Sequence, residues 1–316
     1  MKPIAKHQFQ RQKTDYSSWF FSSMTGLATF LILAILGVIL SNITYHGGAT
    51  LSWRFVSGGT ESGMFDASHA GVFPMIFGTA ALVILMTVFV VPVGGVTAIY
   101  LTEYARANSP FTRVIRLAVN NLAGVPSIVF GLFGVGFFVS FAGQGLDSIL
   151  HPTSSEPIWG KPAILWSALT LAILTLPVVI VATEEALRAI PQGLREASLA
   201  LGATKLETII RIVIPQAGPG ILTGAILAVS RGAGEVAPIM FTGAAYYMAE
   251  LPKSLTDQFM ELGYHVYVLS TQSPNIEQTR PILFATVIVL LVLTFALNLV
   301  AIVVRSHMRK KFRSMN

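Results

Sequence analysis

The sequence predicts an all-α fold, a polytopic membrane bundle of six transmembrane helices. Three observations carry this. Hydrophobic residues make up 53% of the 316 positions and charged residues 11%, whereas a soluble domain carries about 25% charge. Six stretches reach the roughly 20 apolar residues that a membrane helix needs. Lys and Arg collect in alternate connecting segments, as they do on the cytoplasmic side of membrane proteins.

The first span covers residues 19–40, behind a leader carrying Lys2, Lys6, Arg11 and Lys13. Its apolar core is longer than that of a signal peptide and no small-x-small cleavage site follows, so it reads as an uncleaved helix. The second span covers 73–101, where Pro92, Gly94 and Gly95 read as a packing kink. The third covers 117–141 and holds Pro126, Gly131, Gly134 and Gly136; the fourth covers 163–182. The fifth, 217–240, is interrupted by Arg231 and Glu235, and the sixth covers 282–304. Membrane helices tolerate Gly and Pro better than soluble ones, so none of these interruptions removes a span.

Of the 21 Lys and Arg, 16 lie before span one, between spans two and three, between four and five, or after six. Four lie in the opposite segments and Arg231 sits inside span five. This asymmetry places both termini in the cytoplasm, as in an inner-membrane protein with basic inner loops. It also explains the net charge of +6 by topology rather than by nucleic-acid binding. So few charges exclude a soluble enzyme, and the apolar content excludes a disordered chain. With no Cys there is no disulfide framework, thiolate metal site or cysteine nucleophile.

The outer segments 41–72 and 241–281 are too short for a soluble domain of their own, and 142–162 reads as a loop. His46, His69, His151 and His265 read as solvated loop residues with no metal site, and Glu184 and Glu185 as solvated carboxylates at the exit of span four. Tyr246, Tyr247, Tyr264 and Tyr267 with Phe259 suit a helix lying on the membrane, or contact with an external binding protein.

The connection between spans four and five is the most informative stretch. Pro191 suits a first helical turn. Leu194, Ala197, Ser198 and Leu201 share one face at helical spacing, with Arg195, Glu196 and Leu199 elsewhere on the surface. Gly202 ends that helix, and Thr204-Lys205-Leu206-Glu207 forms a capping box that starts another. Two short helices with a glycine joint suit docking into a partner's groove; the same pattern suits an amphipathic helix on the lipid surface.

In span five Gly220, Gly224 and Ala228 form a small-x-x-x-small stripe for close helix packing. Arg231 and Glu235 are spaced to face each other along a helix. An intramembrane Arg is costly and faces a cavity or a partner, and backbone N–H groups at Gly232 and Gly234 would make an oxyanion site beside its guanidinium. Pairing with Glu235 alone, or snorkelling to the interface, is the plainer reading.

Glu196-Ala197-Ser198, three residues, Gly202, nine residues and Ile212-Val213-Ile214-Pro215 resemble the EAA loop of ABC-importer permeases. The spacing matches; Ser198 replaces the usual second Ala and Ile214 the usual Leu. The segment from Ser230 to Thr242, Ser-Arg-Gly-Ala-Gly-Glu-Val-Ala-Pro-Ile-Met-Phe-Thr, resembles the phosphate ABC importers' permeases in their A-type form. The resemblance implies a type I, MetI-like architecture. It implies that Leu194, Glu196, Ala197, Ser198, Leu201, Gly202 and Pro215 belong to an ATPase-coupling element, and that Arg231, Gly232, Gly234 and Glu235 line a phosphate pathway. The implied partners are a second, C-type permease subunit, a dimer of ATP-binding ATPase subunits, a periplasmic phosphate-binding protein and the lipid bilayer, with phosphate as substrate. No cofactor is implied.

The expected layout is an N-terminal tail, first helix and outer loop over 1–72, a permease domain over 73–305 with its coupling loop at 184–212, and a basic tail over 306–316. No G-x-x-x-x-G-K-[S/T] sequence occurs, so ATP binding by that route falls to another chain. A permease of the same architecture for sulfate, molybdate or an amino acid remains open. A secondary transporter would not need the coupling loop, and an intramembrane enzyme would need a Ser/His, Asp/Asp or H-E-x-x-H constellation that is missing.

Overall fold

A computed structural model describes residues 16–60, 65–66, 70–106, 109–248 and 250–313. The basic leader with Lys2, Lys6, Arg11 and Lys13, and His69, lie outside the described residues. Six helical spans are long and apolar enough to cross a membrane: Tyr16–Gly47, Phe73–Tyr104, Ser127–Leu150, Ile164–Arg188, Lys205–Gly232 and Ile276–Met308. The described residues form helices and one isolated bridge, between Ala244 and Phe259.

Span two comprises α3 (Phe73–Ile99) and a π-helical end, Tyr100–Tyr104; span four is α7 (Ile164–Arg188). Span five opens as α9 (Lys205–Thr208) and continues through a π-helical turn, Ile209–Val213, into α10 (Ile214–Gly232). α7 packs between α3 and α10, and Leu82, Met86, Leu171, Val179 and Ala228 fill the seam. Lipid offers apolar side chains no less than a protein core does, so close backbone approach rather than hydrophobicity holds such helices together. The glycines supply that approach. A Cβ at Gly94 would sit 2.8 Å from Val179, and one at Gly220 would sit 2.2 Å from the Ala186 Cβ. Gly224 meets Ala182 in the same way, so the small-residue stripe lies against span four.

Span one, α1 (Tyr16–Gly47), is the least embedded: it packs along α13 (Ile276–Arg313), where Gly47 abuts the backbone of Phe284 and Ala285. Its other faces carry exposed Phe, Ile and Leu, as a lipid-facing helix does.

Four sequence expectations need correction. Span three begins at Ser127 rather than 117. Residues Pro110–Leu122 form a separate amphipathic helix, α4, which ends before Pro126 because a residue preceding proline is pushed out of the helical region. Span five ends at Gly232, not 240. It starts at Lys205, not 217, so the second short helix of the connecting loop is the first turn of span five itself. Finally, His265 of the aromatic segment, expected to be solvated, is buried, whereas Tyr246, Tyr247 and Tyr267 of the same segment stay exposed. The segment's helix α12 (Leu262–Thr271) buries Leu262, His265, Val268 and Leu269 against α3 and α13, and Phe259 is fully buried.

Candidate functional site

Span five is one continuous rod with the two motifs at its opposite ends. Its 28 residues correspond to about 42 Å at 1.5 Å per residue. At the first end, Thr204 caps the rod: its hydroxyl accepts from Glu207 N, and the Glu207 carboxylate accepts from Thr204 N at 2.9 Å. The wide π-helical turn Ile209–Val213 precedes Pro215. Proline has no N–H to give to the carbonyl four residues back and its ring displaces that carbonyl, which accounts for a widened turn at this place.

The loop helix α8 (Gln192–Ala200) is strapped to the bundle on one side and bare on the other. Gly202 holds φ +86°, the single residue in the left-handed region among the described residues, so the chain reverses there at a glycine. Ser198 is buried, with its hydroxyl 2.9 Å from that of Thr208 on the rod. Leu194, Ala197 and Leu201, expected to share one face with Ser198, are exposed; Leu201 is 90% so. Arg195, expected on the surface, turns inward. It pairs with Glu103 at 2.8 Å and donates to the carbonyls of Leu187 and Ile190. Lys205 donates to the Glu103 carbonyl. Span two thus grips both the loop helix and the rod through one residue. Glu184 is likewise not solvated: it is buried and accepts from Arg116 and Arg188, each at 2.9 Å. Glu185 is exposed as expected.

At the far end, Arg231 occupies the last turn of α10 and Glu235 lies just beyond it. Arg231 Nε meets Glu235 Oε1 at 3.3 Å, with the guanidinium side chain 41% exposed. The sequence pairing is therefore made, and it leaves most of the guanidinium fork open. The backbone donors expected beside it are not free. Gly232 lies within the helix, and Gly234 N donates to the Arg231 carbonyl at 3.3 Å. Gly232 serves packing instead, since a Cβ there would sit 2.5 Å from the Met86 sulfur. Gly234 faces open space.

A buried pair near this end escaped sequence reasoning. Glu261 and His265 sit one turn apart on α12, and Gly263 between them packs on Val236, next to Glu235. Glu261 caps α12 by accepting from Tyr264 N at 2.6 Å. Its Oε1 lies 3.3 Å from the Thr79 hydroxyl, which also reaches the Met75 carbonyl at 2.7 Å and accepts from Leu262 N. Burial pushes the Glu261 carboxyl up to about 7, against the lowering pull of the Gly263, Tyr264 and Thr79 hydrogen bonds. Burial also pushes His265, expected to be solvated, down to about 4. A Glu four residues before a His in an apolar segment was the available signal; its meaning depended on burial by α3 and α13.

The two shifts oppose each other. Between pH 4.5 and 7 the folded Glu261 keeps a proton that the unfolded chain releases, so its contribution to stability is lost as pH rises. Between pH 4 and 6.5 the folded His265 lacks a proton that the unfolded chain holds, so its contribution is lost as pH falls. Each amounts to roughly 3 kcal/mol over its window at about 1.4 kcal/mol per pH unit. Thermal melting from pH 4.5 to 6.5 is expected to be nearly flat for the wild type, to rise with pH in Glu261→Gln and to fall in His265→Gln. Parallel profiles in all three proteins would contradict the burial of this pair.

The described family "Binding-protein-dependent transport system inner membrane component" matches residues 90–314, which include the rod, the loop helix and Arg231. The chain belongs to that family. This permease is 34% identical to the phosphate transport system permease protein PstA of Mycobacterium leprae, over 76% of its own length and 71% of that protein's. It is 35% identical to the probable ABC transporter permease protein YqgI of Bacillus subtilis, over 70% and 68% of the two chains. A solved chain of a bacterial alginate ABC transporter, in complex with an alginate-bound periplasmic protein, aligns with 96% of this permease at a TM-score of 0.64 and 16% identity. That likeness establishes the fold as the ABC-importer permease architecture expected from the sequence.

Proposed function

We propose that this permease is the A-type half of an ATP-driven phosphate importer in a bacterial inner membrane, with both termini in the cytoplasm. The observation that carries the reading is Arg231. It is a lone guanidinium at the outer end of the rod, tied by one 3.3 Å contact to Glu235 and otherwise open. Relatives bearing the phosphate permease name are 34% identical over about three quarters of the chain. Arginine holds phosphate through paired, charge-assisted bonds, and Glu235 offsets part of the charge so that the anion can leave.

In this reading the bare face of α8, with Leu194, Glu196, Ala197, Leu199 and Leu201, docks into a separate ATPase subunit. Ser198 and Gly202 fix the helix on its stalk, and Pro215 marks where the rod begins to flex. Movement of the ATPase dimer passes along span five to Arg231, alternately opening the pathway to either side. A C-type permease covers the face of the bundle that exposes Arg231, and a periplasmic phosphate-binding protein delivers the anion. The chain itself performs no bond chemistry. Vesicles reconstituted with the four components are expected to take up labelled phosphate only with ATP. Excess sulfate, molybdate or amino acid should not compete. Competition by any of these at equal concentration would assign the permease to another solute.

A further inference from the structure

On the loop side of the bundle, the π-helical end of span two, α4, the end of α7 and the start of α8 enclose a cavity of about 680 Å³. Arg116, Arg188 and Arg195 line it, together with Glu103, Thr102 and Thr112. Two of the guanidiniums converge on a single oxygen, Glu184 Oε2, at 2.9 Å each. The third is held by Glu103. Three guanidiniums against two carboxylates leave positive charge in excess, and Lys205 adds to it from the far side of Glu103. Arg188 is 59% exposed and makes one bond, so most of its fork is unused among the described residues.

Two of the hydroxyls on residues lining this cavity have no account among the described residues. Thr112 is 2% exposed, and neither its hydroxyl nor that of Thr102 has a partner among the described residues. A buried polar atom left without a partner costs about 1–3 kcal/mol, and such atoms are rare enough to need a reason. Both threonines line the same cavity as the three arginines. We propose that this cavity binds a phosphate group, free or esterified, on the face of the membrane that carries the loop helix. A tetrahedral oxyanion offers enough acceptor positions to satisfy guanidinium forks and hydroxyl donors together. The cavity volume falls in the range of small-molecule sites, roughly 300–1,000 Å³, so it accommodates an ester or a lipid headgroup as well as inorganic phosphate. A group bound there bridges Arg188 of span four, Thr112 of α4 and Arg195 of the loop helix, and so ties the coupling element to the bundle. The site is separate from Arg231 and does not depend on the transport pathway.

The test uses the full-length chain carrying Arg231→Gln, so that binding at the other end of the rod is silenced. Equilibrium binding of labelled inorganic phosphate is measured in detergent. Thermal stability is then measured in nanodiscs of phosphatidylcholine with and without phosphatidylglycerol. Against this background Arg188→Gln and Thr112→Val are added singly. Thr112→Val replaces an unpartnered hydroxyl by a methyl of the same shape, so it loses no folding interaction. For a free anion, phosphate binds the Arg231→Gln protein and weakens about tenfold in each added variant. For a lipid headgroup, phosphate shows no binding, but phosphatidylglycerol raises the melting temperature, and the rise shrinks in both variants. The proposal is overturned if neither ligand distinguishes the added variants from Arg231→Gln alone. Phosphate binding that vanishes with Arg231→Gln, with no lipid effect, overturns it while leaving the pathway reading intact.

Discussion

Arg231→Ala is expected to lower phosphate uptake about 10- to 100-fold, with the complex still assembled and its melting temperature unchanged. A hydrogen bond to a charged group is worth about 1.5–3 kcal/mol, which sets that range at 1.4 kcal/mol per tenfold. The fold should tolerate the change. Arg231 occupies the last turn of its helix, is half exposed, and makes a single ion pair. A second effect acts in the same direction. Removing the guanidinium leaves Glu235, whose side chain is 20% exposed, as an unopposed negative charge on the proposed pathway. Arg231→Ala with Glu235→Gln is therefore expected to transport better than Arg231→Ala alone. Arg231→Lys keeps the charge but loses the planar fork, so its uptake should lie between the wild type and Ala. Radiolabelled uptake in reconstituted vesicles measures all four proteins. Wild-type rates in both Arg231→Ala and Arg231→Lys would remove this residue from the pathway.

Much of this was legible in the sequence because membrane physics is local. Each span announces itself by an apolar run, and six of six appear in the structure near their expected places. The Thr204–Glu207 capping box and the Gly220-Gly224 packing stripe depend only on neighbours along the chain, and both formed. What was not legible depended on distant partners. Arg195 meets Glu103 from 92 positions away and Arg116 meets Glu184 from 68; no periodicity reveals such pairs, and each carboxylate or guanidinium read alone looks solvated. His265 read as a solvated loop residue because its segment is short, yet α3 and α13 bury it together with Glu261. The boundary at 123–126 was hidden for another reason. α4 carries enough apolar residues to look like the start of span three, and Pro126 within a membrane span raises no alarm from sequence alone.

Arg195→Ala is expected to uncouple the permease, cutting uptake at least tenfold while leaving Arg231 and the outer half of the bundle undisturbed. The substitution removes an ion pair to Glu103 and two bonds to backbone carbonyls. It also strands Glu103, whose side chain is 10% exposed, without its charge partner. The pair is part-buried, so breaking it costs less than the roughly 3–5 kcal/mol of a fully buried pair. That cost falls on the strap between α8 and span two, so the loop helix should no longer transmit force even when docked. ATPase activity measured in the same vesicles is expected to persist without matching transport.

Docking of α8 into the ATPase is proposed above, and the absence of native Cys makes it directly measurable. Single cysteines at Glu196, Ala197 or Leu201, on the bare face of the helix, are cross-linked in the assembled complex to a partner ATPase carrying one engineered cysteine. The expected result is an efficient cross-link from these exposed positions, and much less from the buried Ser198. No cross-link from any position between 194 and 201, in a complex that still takes up phosphate, would contradict the account.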